Sequence, residues 1–99
     1  MQRPLFLGDE VTAAGYRLAG LTVRTPDPAE LADAIEQARA ESPPLILLTA
    51  ELAEHLDPAW LDRLLSGARP PIQVVSDAGG RVPVPDLAAR IRARVGVGG

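Results

Sequence analysis

Two adjacent carboxylates, Asp9 and Glu10, close the apolar run "PLFLG" and open a stretch of small residues. Carboxylates at the end of a buried strand are oxygen ligands suited to a divalent cation. Beside a phosphate-accepting side chain they would support phosphoryl transfer. A site of that kind needs an acidic acceptor on a neighbouring strand and a lysine to pair with the phosphoryl group. The candidate acceptor position holds Thr49, in "LILLTAEL", and the chain contains no lysine. A simpler use of the same pair is structural. Asp9 suits the N-cap of a helix, and Glu10 in the first turn favours the helix dipole.

Other chemistry is as thinly supplied. His55 is the only histidine, and Glu51 lies one helical turn before it. A metal centre needs several ligands, and a general base needs an orienting partner. With no cysteine in the chain, disulfides, thiolate metal sites and thiol nucleophiles are excluded. Gly8, Gly15 and Gly20 match neither the dinucleotide fingerprint nor the phosphate loop with its Gly-Lys-Ser/Thr ending. Gly15 falls in mid-helix, where glycine costs about 1 kcal/mol relative to alanine. Close packing against a strand or a partner would account for it. The expectation is a chain without a catalytic, cofactor or metal site.

The elements that position these residues follow from periodicity. Apolar runs at 4–8, 21–25, 45–49 and 72–76 predict four strands. Between them the pattern shifts to helical spacing. Val11, Ala14, Gly15 and Leu18 fall at i, i+3, i+4 and i+7 and predict the buried face of a first helix, stopped at Gly20. A helix over 28–41 carries Leu31, Ala34, Ile35 and Ala38, with Asp27, Pro28 and Glu30 arranged as a capping box. Thr49 caps a short helix, and Asp57-Pro58 starts another that buries Leu61, Leu64 and Leu65 beside Trp60. Leu87, Ile91 and Val95 predict a last helix over 85–95.

Alternation of this kind implies a parallel sheet with helices on both faces. The predicted fold is α/β, a small three-layer flavodoxin-like (Rossmann-like) sandwich. Its four-stranded parallel sheet has order 2-1-3-4, and a C-terminal helix completes it. Residues 1–99 form one domain, with 1–77 as the globular sheet core and 78–99 as a loop and helix that can move. In such sheets partners and ligands meet the carboxyl ends of the strands. Here that edge carries Gly8-Asp9-Glu10, Arg24-Thr25, Thr49-Ala50-Glu51 and Ser76-Asp77.

Net charge is −3 over 99 residues, which argues against nucleic acid as a partner. The charge is uneven: residues 1–77 hold 6 arginines and 12 acids, net −6, while 78–99 hold 4 arginines and one acid, net +3. Arg90 and Arg94 share a face of the predicted last helix and suit a protein-docking surface. No apolar run approaches the roughly 20 residues of a membrane span, and acidic residues arrive too early for a signal peptide. The expectation is a cytoplasmic protein.

The stretch "GDEVTAAGYRLAGL" resembles the N-terminal motif of the F subunit of V-type and archaeal-type rotary ATPases. The matching positions are Gly8, Asp9, Thr12, Gly15, Tyr16, Arg17, Leu18, Ala19 and Gly20. "LILLTAELAEHL", "PPIQVVSD" and "IRARVGV" resemble the family's third strand with its helix, fourth strand and last helix. Val11 departs from the family, where Asp is common, and Tyr16 stands where Phe is commonest. The Gly- and Pro-rich "SDAGGRVPVPD" also departs from it. The resemblance implies a non-catalytic central-stalk (rotor) component without cofactors, peripheral to the membrane as part of the ATPase. It would bind the coiled-coil D subunit of the stalk, contact the catalytic head, and couple or regulate ATP turnover and ion transport. Tyr16, Arg17, Arg90 and Arg94 are its candidate contacts. The alternative is a receiver-like or small-ligand-binding signalling domain using Asp9 and Glu10.

Overall fold

A computed structural model describes residues 2–67 and 69–78. Within them β1 (Leu5–Leu7), β2 (Thr22–Arg24), β3 (Ile46–Thr49) and β4 (Ile72–Val75) form one parallel sheet. Its order is β2-β1-β3-β4, as the alternation of elements predicts. The predicted C-terminal helix at 85–95, with Arg90 and Arg94, lies outside the described residues.

The sheet order decides which helix covers which face. The chain steps one way from β1 to β2, then back past β1 to β3 and β4. Right-handed crossovers therefore put the first helix on one face and the later ones on the other. On the second face, the in-register rows Leu5–Ile46–Ile72 and Leu7–Leu48–Val74 meet α2 (Leu31–Ala40), α3 (Ala50–Ala53) and α4 (Pro58–Leu65). Leu31, Ile35, Ala38, Leu52, Leu61 and Leu64 close that core. The apolar positions predicted for α2 and α4 are thus the ones that turn inward. On the first face, α1 (Glu10–Leu18) lies over β1 and β2.

Helix ends follow the local sequence in three cases. Asp9 accepts from the Thr12 N–H, Thr49 from the Leu52 N–H, and Asp57 from the Trp60 N–H. Each such cap contributes about 1 kcal/mol. Gly20, at φ +97°, ends α1 in the left-handed conformation that glycine adopts without a Cβ penalty. The Leu21 N–H reaches back to the Tyr16 carbonyl and the Gly20 N–H to that of Arg17, giving a Schellman closure.

Two expectations are corrected. Asp27 makes no side-chain cap bond and Glu30 is exposed; Pro28–Glu30 form a tight 3-10 turn before α2 begins at Leu31. The 3-10 turn tightens the backbone ahead of the helix, and no reciprocal capping box forms. The second correction concerns α1. Its apolar stripe faces outward: Val11 is 73% and Leu18 90% exposed, and Ala14 and Gly15 are exposed between them. The buried side is Thr12 and Ala13, with Tyr16 half-buried one turn on. Local anchoring fixes this rotation. The Asp9 cap holds Thr12 down on the sheet edge, and Tyr16 stacks on Phe6 with ring centroids 4.5 Å apart and planes 19° apart.

Candidate functional site

Asp9 binds Thr12 twice. Oδ2 accepts from the Thr12 N–H at 3.0 Å, and Oδ1 accepts from the Thr12 hydroxyl at 2.6 Å. The Thr12 Oγ1 in turn accepts from the Ala78 N–H at 2.7 Å. A hydrogen-bonded line therefore runs from the segment after β4 to the start of α1, passing the carboxyl end of β3. On the other side, the Thr25 hydroxyl donates to Glu10 at 2.9 Å and ties α1 to the segment after β2. Asp9, Glu10 and Thr12 thus join three of the four strand ends.

The electrostatics agree with a structural use of Asp9. Its partial burial works to raise the carboxyl pKa. The bonds from the Thr12 hydroxyl and N–H outweigh this, with help from the N–H groups of Asp9 itself and Val11. The carboxyl is held below its ordinary value. An ionised acceptor pinned by two donors is a strong cap. Thr49, at the phosphoacceptor position, is 1% exposed and its hydroxyl accepts from the Leu52 N–H at the start of α3. Among the described residues no group of three or more His, Asp and Glu side chains converges in a way that could hold a metal ion. His55 is exposed at the end of α3. Arg24 is engaged with Glu41 at 2.8 Å, which lowers the Glu41 pKa first through the side-chain hydrogen bond and then through its charge.

The sequence-predicted residues therefore separate into roles. Gly8 is required by close approach. A Cβ there would fall on the Phe6 ring and the Thr49 methyl, both fully buried. Tyr16, a candidate contact, spends one ring face on Phe6. Arg17 is exposed in the last turn of α1. Gly15 is not packed against a strand: among the described residues nothing lies within 4 Å of the place its Cβ would take.

What remains presented to the exterior is the ridge Val11–Ala14–Gly15–Leu18, with Arg17 on its flank. Two large aliphatic side chains bracket two small ones over two helical turns. That relief matches what a second helix needs to approach closely, with the small residues forming a saddle between the large ones. The ridge holds no reactive group, so what it can do is bind. Sequence reasoning named all four residues and placed them on the wrong side of the helix. The pattern Thr12-Ala13-Tyr16, with the lone aromatic of the preceding strand at Phe6, is the signal that gives the true buried side.

No protein-family model matches the chain, and no curated protein matches it. Among the described residues no helix is long and apolar enough to cross a membrane.

Proposed function

We propose that the chain is a non-catalytic rotor component in the central stalk of a V/A-type rotary ATPase, similar to the F subunit and binding the coiled-coil D subunit. The observation that carries this reading is the outward ridge of α1. The residues of the family-like motif that are not consumed by the fold, Gly15, Arg17 and Leu18, lie exposed on or beside that ridge. Gly8, Asp9, Thr12 and Gly20 of the same motif have structural work, as a fold-defining motif would. The parallel sheet of order 2-1-3-4 is also the fold that the resemblance implies.

In this role the sheet is a rigid platform and α1 is the docking element. Val11 and Leu18 would insert between side chains of the coiled coil, and Ala14 and Gly15 would let the helix axes come close. Arg17 would supply a polar contact at the rim, where arginine is favoured. The partner would hold the chain beside the membrane without inserting it, and regulation of ATP turnover would follow from rotation with the stalk. The receiver-like alternative has less support, because Asp9 is committed to Thr12 and Thr49 to the start of α3.

Co-expression with the cognate coiled-coil protein of the stalk tests the assignment. The two chains are expected to co-purify, and failure to associate at micromolar concentration contradicts it. Magnesium titration followed by Trp60 fluorescence separates the alternative, since a saturable response abolished in Asp9→Asn would favour a cation-binding signalling domain.

A further inference from the structure

The β2 edge of the sheet presents main-chain groups to a further strand. In the ladder with β1, the Thr22 N–H donates to the Pro4 carbonyl and the Arg24 carbonyl accepts from the Gly8 N–H. The residue between them turns the other way, so the N–H and carbonyl of Val23 point out from the sheet. Among the described residues β2 has a neighbour on its β1 side alone. An edge of this kind is a template for another strand.

Beside that edge runs a groove of about 500 Å3. Arg24 and Pro26 line it from the β2 side, and Glu30, Asp33, Ala34 and Gln37 from the α2 side. Helical spacing explains the second wall. Leu31, Ile35 and Ala38 of α2 turn to the core, so the adjoining stripe falls over the margin of β2. Arg24 does not neutralise the groove, because its guanidinium is held by Glu41 at 2.8 Å. Glu30 and Asp33 are exposed, and among the described residues neither forms an ion pair. They add to a body, residues 1–77, of net charge −6.

We propose that the β2 edge and this groove together take an extended segment of a partner protein that carries a lysine or arginine. The main chain of the segment pairs with Val23, and its alternate side chains point to the α2 side. There a small or aliphatic side chain meets Pro26 and Ala34, and the basic one meets Glu30 and Asp33. Main-chain bonds supply affinity and the carboxylates select the sequence. Charge complementarity favours this occupant over an acidic segment. The outer ridge of α1 lies on the opposite face of the sheet, so the inference stands apart from the proposed stalk role and survives its failure.

A phage-displayed library of random octapeptides, selected against the full chain at low salt, tests this. Enriched peptides should carry lysine or arginine among β-branched residues. Their synthetic forms should bind more weakly as salt rises. The Val23 amide should exchange quickly in the free chain and slowly in the peptide complex. Val23→Pro removes the outward N–H at an edge position, where proline is tolerated. Glu30→Lys combined with Asp33→Lys reverses the charge of the groove on exposed side chains. Each variant should lose at least tenfold in peptide affinity while thermal melts show the fold retained. If the proline variant fails to fold, the charge-reversed one decides. Slow exchange at Val23 in the free chain overturns the proposal, because the edge is then already filled. Enrichment of no basic peptide, or of peptides that the charge-reversed variant binds equally well, also overturns it.

Discussion

Thr12 and Ala78 stand 66 positions apart in sequence and 2.7 Å apart at the hydrogen bond between them. The Ala78 backbone N–H donates to the Thr12 hydroxyl, which donates onward to Asp9. One side chain thereby joins the start of α1 to the exit of β4. Thr12→Val keeps the shape and removes the hydroxyl, stranding the Ala78 N–H and one oxygen of Asp9. The cost expected is about 1–3 kcal/mol, read from urea denaturation followed by Trp60 fluorescence. Thr12→Ser should retain most of the stability. Amide exchange at Ala78 should accelerate in the valine variant and stay slow in the serine one. Equal exchange in the two would remove the hydroxyl from this role.

Asp9 gives the fold a defined response to acid. Its folded pKa lies below the ordinary value. Its stabilisation is therefore complete above the unfolded aspartate value of about 3.9 and is lost as pH falls through the lower folded value. Asp9→Ala removes a cap contributing about 1 kcal/mol at neutral pH. The gap between wild type and variant should close as pH falls below about 4, through the lower folded value. A gap that is constant with pH would mean that the carboxylate charge contributes nothing.

Gly8 allows Phe6 to fold back over the strand end. Gly8→Ala should destabilise the protein by about 1–3 kcal/mol, because the methyl meets a buried ring and a buried threonine that have no room to yield. Gly15→Ala, whose methyl meets no described residue, should leave the described core intact and gain helix propensity. Thermal melts of the two variants should move in opposite directions. A neutral Gly8→Ala would show that the Phe6 ring can relocate.

Tyr16 is a structural residue first. Tyr16→Phe keeps the stack on Phe6 and should lie within about 0.5 kcal/mol of wild type, whereas Tyr16→Ala exposes the Phe6 ring and should cost about 2–4 kcal/mol. Chemical denaturation of the two variants checks this. A neutral alanine variant would make Tyr16 a surface contact and nothing more.

The sheet, its order and three helix caps were legible in the sequence because each is written locally. An apolar run of strand length, or an Asp or Thr just before a helix, carries most of its own meaning, although of the two Asp-Pro pairs only Asp57-Pro58 forms the cap and Asp27-Pro28 does not. The rotation of α1 was not legible. Val11, Ala14, Gly15 and Leu18 satisfy the helical spacing that usually marks a buried side, and hydrophobicity alone favours that reading. Two contacts outside the helix override it, the stack of Tyr16 on Phe6 and the bond from Ala78 to Thr12. Neither partner is visible from within residues 10–18. For the same reason Asp9 and Glu10 looked like chemistry: their place at a strand end is the place of many metal ligands, and only the bonds from Thr12 and Thr25 reveal their use.

Docking of a coiled-coil partner on the outer ridge of α1 is the centre of the proposed role. Val11→Glu and Leu18→Glu change exposed side chains, so each should alter stability by no more than about 0.5 kcal/mol. Titration calorimetry of each variant against the cognate coiled-coil stalk protein is the direct measurement. The wild-type chain should bind tightly. Each variant should lose at least about tenfold in affinity, the effect of removing a contact of about 1.4 kcal/mol. Wild-type binding that both variants retain in full, or no binding by the wild type, would contradict it.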